Sequence, residues 1–250
     1  LNPFAISFLV CWVLGFGIWV LRFTLTHLMK LLRKTLILTH RYLGIVFSAL
    51  IVMWFATGIT MMYVGGMPRL TPELRLERIA PVDVTQVRVT PAQAAQRAEL
   101  SDPPTRATLL AVLGRPAYRF TVGRDSTIVF ADTGELADEF TIAQTREVAA
   151  RFMRVSADKV RHVASLEQTD QWTLGMGRIF PLHKFAIDDG EGTELYVSPT
   201  TGDVVMLTTA KTRAFAWIST IPHWLYFEAL REQQLLWYRV VVWTSAIATA

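Results

Sequence analysis

From Tyr42 to Tyr63 the chain carries no charged side chain. As a helix at 1.5 Å per residue, that run is about 33 Å long, enough to cross a ~30 Å hydrocarbon core. The surrounding stretch Leu36–Tyr63 therefore reads as a transmembrane helix, entering with His40-Arg41 and leaving through Tyr63-Val64-Gly65-Gly66. At helical spacing His40, Gly44, Ser48, Ile51, Phe55, Gly58 and Met62 fall near one face. That face has an imidazole at one end and small residues above it, which let a flat group or another helix approach closely. An ionisable residue at the rim of a span is a functional candidate by default.

The other apolar residues, part of a 52% hydrophobic composition over 250 residues, also cluster toward the two ends. Phe4–Leu21 reads as a first span; a signal peptide would need a basic region before it and a small-x-small site after it, and neither is there. The connection Arg22–Arg41 holds Arg22, Lys30, Arg33, Lys34 and Arg41 with no acidic residue, which assigns it to the cytoplasmic side. Its Phe23–Leu32 part reads as helix continuing past the membrane surface. The second span then runs outward and delivers the polar block to the far side, the periplasm in a Gram-negative cell. The expected division is 1–35 for the first span and basic connection, 36–64 for the second span, and 65–213 for the outer domain. Residues 214–236 form an aromatic interfacial segment and 237–250 the start of a third span heading inward. That last apolar run has fourteen residues and residue 1 is Leu, so the expectation is a longer multi-pass protein cut at both ends.

One cysteine, Cys11, excludes an intrachain disulfide and is silent about redox compartment. The net charge of +4 comes with no basic stripe interleaved with aromatics, so a nucleic-acid partner is excluded. The polar block shows no Ser-His-Asp order, no Cys-His cluster and no HExxH motif.

Inside the outer domain a weak internal repeat is visible. Arg115-Pro-Ala-Tyr-Arg-Phe-Thr-Val122 matches Phe180-Pro-Leu-His-Lys-Phe-Ala-Ile187. Each is followed by a second alternating run, Thr127–Phe130 or Glu194–Val197, and then by a tight turn, Asp132-Thr-Gly-Glu-Leu136 or Thr200-Thr-Gly-Asp-Val204. Upstream of each lies a short helix: Thr90-Pro91 opens Ala92–Leu100, and Thr141 opens Ile142–Met153. Two helix-plus-antiparallel-sheet units are expected, at about 85–139 and 140–209.

Three motifs in order carry a family likeness: the span with His-Arg-Tyr-Leu-Gly and Ala-Thr-Gly, the doubled unit with Leu-Tyr-Val-Ser-Pro-Thr-Thr-Gly-Asp-Val, and Pro-His-Trp-Leu-Tyr-Phe-x-x-Leu-Arg before another span. From Leu36 onward the chain resembles the PepSY-associated transmembrane family. The resemblance implies a bacterial inner-membrane protein: an α-helical membrane bundle plus an α+β extracytoplasmic domain of two PepSY-like repeats. Some members of that family are haem-binding reductases for ferric siderophores. It further implies two b-type haems, with His40 as axial ligand at the cytoplasmic rim and His223 at the outer rim. About 30 Å of helix separates the two rims, so the two histidines serve different irons. Second ligands are then expected from spans outside this sequence, His27 being the local alternative at the cytoplasmic site. Without the resemblance, His40 reads as an interfacial anchor, His223 as one member of an aromatic belt and His27 as a solvated loop residue.

The remaining candidates rank below these. His183 reads as a strand residue equivalent to Tyr118, His162 as surface, Met61 and Met62 as packing, and Asp188-Asp189-Gly190-Glu191 as a hairpin loop. The first functional reading is a haem-dependent membrane oxidoreductase. It takes electrons from a cytoplasmic or quinol donor and reduces a periplasmic ferric chelate or siderophore, loosening hard oxygen ligands. The alternatives are a membrane-anchored, protease-restraining regulatory module without redox activity, and a transport component without redox chemistry.

Overall fold

The computed structural model describes the backbone of residues 3–123, 125–176 and 179–249, and side chains mainly between residues 24 and 247. The first element, α1 (Pro3–Val64), is one continuous helix of 62 residues. The expected turn between a first and a second span is therefore absent. The reason is local: residues 22–41 contain neither Gly nor Pro, and leucines recur among the basic residues, so nothing stops helix propagation. The side chains of Phe4–Leu21, and with them Cys11, lie outside the described ones.

Among the described residues one helix is long and apolar enough to cross a membrane, Thr24–Val64, and almost nothing in its most apolar window is buried by protein. Leu36, Val52, Phe55 and Met62 are 71, 67, 69 and 83% exposed. Contiguous apolar exposure on that scale marks a surface made for lipid or another helix. A multi-span bundle is not what these residues form: the last helix, at Gln234–Thr249, has 16 residues and does not meet the same test.

Two compact units divide the chain, residues 1–55 and residues 56–249. The second is an α+β fold. After α1, α2 (Pro72–Arg78) is capped by the Thr71 hydroxyl, which accepts from Leu74 N–H at 3.2 Å. The pairs Met67-Pro68 and Thr71-Pro72 read as a linker in the sequence, and a helix of seven residues, about two turns, is short enough to escape periodicity. Then comes α3 (Pro91–Arg97), opened by a capping box in which Thr90 and Gln93 exchange bonds, with proline in the first turn. It stops three residues short of Leu100, where Glu99 takes a positive φ of 46°.

Strands β1 (Arg106–Val112), β2 (Arg115–Val122) and β3 (Asp125–Phe130) form an antiparallel meander in the order β1-β2-β3. Tyr118, Phe120 and Val129 project from one face onto Val89 and Ala94 beside α3. Ala117, Ile128 and Phe130 project from the other onto Phe140.

The second half repeats the order with an added strand. After α4 (Ile142–Met153), again opened by a capping box, here between Thr141 and Gln144, come β4 (Val160–Leu166), β5 (Leu182–Ile187), β6 (Glu194–Val197) and β7 (Val204–Thr208), paired antiparallel in sequence order. Phe185, Leu195, Val197 and Val204 pack on Ala149 and Ala150 of α4. On the opposite face Leu182, Tyr196 and Met206 are covered by Trp172, Met176 and Phe180. In each half the hairpin glycine, Gly134 or Gly202, has a positive φ, 74° and 66°.

The two sheets are joined through the far face of the first. Phe140 N–H donates to Pro199 C=O at 2.8 Å, and Arg119 pairs with Asp203 at 2.8 Å. The chain closes with α5 (Ala210–Ile218), α6 (Thr220–Trp224), α7 (Glu228–Arg231) and α8 (Gln234–Thr249). In α6, Pro222 is the third residue and His223 the fourth, so the turn begins two residues earlier than the proline would suggest.

Candidate functional site

The ring of His223 is placed by two neighbours in the last turns of α1. Its Nδ1 lies 3.1 Å from the Thr57 hydroxyl, and Thr57 is only 7% exposed. Its Cε1 lies 3.0 Å from where a Cβ on Gly58 would be. Gly58 thus supplies the notch in which the imidazole sits. A Cβ on Gly44, nearer the other end of that face, would meet nothing within 4 Å among the described residues. When Nδ1 carries the hydrogen and donates to Thr57, Nε2 keeps its lone pair. A histidine arranged for metal ligation uses that tautomer, fixed by a partner behind the ring.

Around this seat runs an aromatic rim. Trp217 and Trp224 are 49 and 45% exposed, with Ile218 and Phe227 beside them, and the Trp237 indole N–H donates to Trp224 C=O at 3.3 Å. Amphipathic rings at this density suit a headgroup layer.

The other two predicted ligands lie on α1. His40 is exposed, and its imidazole makes no hydrogen bond or ion pair among the described residues. His27 is exposed on the same helix. Thirteen residues of uninterrupted helix put them about 20 Å apart in rise and on different faces. His27 therefore does not meet His40 on one iron, a correction that follows from the missing turn. Among the described residues no three His, Cys, Asp or Glu side chains gather as a metal cluster; an axial ligand needs no such cluster.

Two histidines outside this set come together instead. His183 Nδ1 lies 2.8 Å from the Thr145 hydroxyl in the first turn of α4. Tyr118, its counterpart, donates its hydroxyl to Val89 C=O at 3.0 Å. Both use the polar tip of a strand residue to tie down the neighbouring segment. His162 is half-buried rather than a surface residue, with its ring 5.9 Å from that of His183 and 5.5 Å from Phe185. The signal was present: His162 stands two residues from the buried Val160 on the same strand face, before the register shift between His162 and Ala164.

Burial first, then the neighbouring His162, pushes His183 below the usual imidazole range, against the opposite pull of Glu139 and Glu167. A lowered folded-state value means that His183 contributes stability above the unfolded value of about 6.5 and loses it as pH falls through the folded value. The melting temperature of the protein should therefore drop between pH 7.5 and 5, and His183→Asn should flatten that part of the profile. An unchanged slope in the variant would assign the acid sensitivity elsewhere.

Sequence reasoning missed a third feature, a cleft of about 320 Å³ between the two sheets. It is walled by α2, β1 and α4 and by the β6–β7 turn, with Arg75, Arg78, Arg119 and Arg151 among its lining residues. Its members are far apart in sequence, so no local motif announces it. Comparisons with protein-family models, with curated proteins and with solved structures gave no match to this chain.

Proposed function

We propose that this chain is part of a multi-pass haem protein of the bacterial inner membrane that delivers electrons to an acceptor in the periplasm, a ferric chelate of the siderophore type. The observation that carries the reading is the seat of His223: an imidazole beside a glycine notch, with Nδ1 3.1 Å from a buried threonine hydroxyl, a contact whose Nδ1–H tautomer would leave Nε2 for iron. That donor set fits one axial position of a haem, and His40 is the matching candidate at the other rim. Bound haem supplies a one-electron Fe(III)/Fe(II) relay. The chain's own part is to hold the ring orientation and the Nδ1 hydrogen through Thr57, and to anchor the outer end of α1 among interfacial aromatics.

The test is direct. Protein expressed with ample haem should show a Soret band that shifts on adding dithionite. His40→Ala and His223→Ala should each remove part of it, and Thr57→Val should weaken haem affinity about 10- to 100-fold, the usual loss when the partner behind a ligating histidine is removed. Colourless protein that is still folded would overturn the redox reading. It would leave the second one, a membrane-tethered binding module, which the arginine-walled cleft between the sheets favours.

A further inference from the structure

Four arginines reach the cleft between the two sheets, and among the described lining residues the one acid is Asp203. The charge is only partly answered. Arg119 pairs with Asp203 at 2.8 Å, and Arg151 bonds Glu147 through Nε at 3.0 Å. Arg78 donates to the carbonyls of Phe152 and Met153 at the C-terminal end of α4, 3.3 Å each, a favourable place for a cation. Its Nε lies 3.5 Å from Glu77 without hydrogen-bond geometry. Arg75 has no side-chain hydrogen bond or ion pair among the described residues, although it is half-buried at the mouth. In addition the Nε atoms of Arg78 and Arg119 are buried with no acceptor. Those two donors have no open surface toward the cleft, so the guanidinium left for an occupant is that of Arg75.

The rest of the wall is apolar. Leu110 and Val112 from β1, Val148 and Phe152 from α4, and Val204 from β7 line it. A volume of about 320 Å³ lies at the lower end of the range of about 300–1,000 Å³ for small-molecule sites, which pair apolar walls with a few convergent polar groups. We infer that this cleft binds a small amphiphilic anion, a carboxylate, sulfonate or phosphate on an apolar body. The acid group takes the free guanidinium of Arg75 at the mouth, and the body lies against Val148, Phe152 and Leu110. Because both sheets contribute walls, an occupant bridges the two halves of the domain. The inference is independent of whether the protein holds haem.

The test uses the full chain in maltoside micelles and naphthalene-2-sulfonate as the probe, followed by calorimetry. One saturable site per chain is expected, weakened severalfold by raising the salt from 50 to 300 mM. The neutral analogue 2-naphthalenemethanol and sodium sulfate alone should each bind at least about tenfold more weakly, since one lacks the charge and the other the body. Arg75→Gln should weaken the sulfonate about tenfold, the loss of one charge-assisted contact worth about 1.4 kcal/mol. Ala80→Trp, at an exposed position of the mouth, should block entry. Arg88→Gln removes an exposed charge outside the cleft and should bind as wild type. Absence of saturable binding overturns the inference; so does equal binding of the alcohol or of sulfate, and so does an Arg75→Gln protein that binds normally.

Discussion

Tyr196→Ala should cost the domain of residues 56–249 about 3–5 kcal/mol, a large part of the 5–15 kcal/mol that holds an ordinary domain together. Tyr196 is fully buried and is the largest such side chain in the fold. Its ring packs with Leu182 and Met206 under Trp172 and Phe180. Its hydroxyl donates to Asp170 Oδ2 at 2.7 Å, and burial holds the phenol far above its usual range, so it stays a donor at every working pH. Asp170 in turn collects the N–H groups of Trp172 and Thr173 at 3.1 Å each and the Thr173 hydroxyl at 2.7 Å. Lys184 lies 3.5 Å from the same carboxylate. The tyrosine thus pins the Asp170–Thr173 turn to the sheet, and removing it opens a cavity and strips a half-buried carboxylate of a donor at once. At about 2–4 °C per kcal/mol for a domain of this size, the melting point should fall by about 6–20 °C. Tyr196→Phe keeps the packing and should cost about 1–3 kcal/mol. A Tyr196→Ala protein melting within about 2 °C of wild type would show that the loop is held by something else.

That network shows where sequence reading reached and where it stopped. The alternation Glu194-Leu-Tyr-Val197 identifies a strand, and strand spacing places Leu195 and Val197 on one face and Tyr196 on the other. Nothing in the strand says that its second face is covered too. The cover comes from a loop whose anchoring acid stands 26 residues earlier, held by turn bonds rather than by periodicity. Helix starts were legible for the opposite reason: Thr90-Pro91 and Thr141 mark them locally, and the capping bonds to Gln93 and Gln144 that hold them act across only three residues.

The long apolar helix was harder to read. Hydropathy marks which residues tolerate lipid but not where a chain turns. With no Gly or Pro between Arg22 and Arg41, charge alone suggested a loop that the backbone has no local reason to make. His223 was singled out by its place in an aromatic run. Thr57 stands in the Ala-Thr-Gly motif, but a threonine inside an apolar span carries no sign of the partner 166 residues away. The same blindness to distant contacts hid the arginine cleft, whose walls come from elements 130 residues apart.

Gly58→Leu should have the largest effect on the His223 seat. A Cβ at Gly58 would stand 3.0 Å from Cε1, tighter than most side-chain contacts, and at an ordinary 3.5 Å from Nδ1, and the further leucine atoms would press on the volume the imidazole occupies. Helix propensity does not oppose the change, since leucine is favoured over glycine by roughly 1 kcal/mol in a helix interior. The helix will therefore accept the substitution and the imidazole must yield, breaking its contact with Thr57. Released from burial and from a hydrogen bond worth about 0.5–1.5 kcal/mol, the ring should react with diethyl pyrocarbonate about tenfold faster than in wild type. In the haem reading this variant should lose as much of the Soret band as His223→Ala does. Gly58→Ala should fall between, because one methyl group presses on the ring without replacing it. Thr57→Val separates seat from bond: the ring keeps its notch, stays protected from the reagent by shape, and loses only the fixed tautomer. Unchanged labelling and haem content in Gly58→Leu would mean that the ring is held without the notch, and that the glycine is there for another reason.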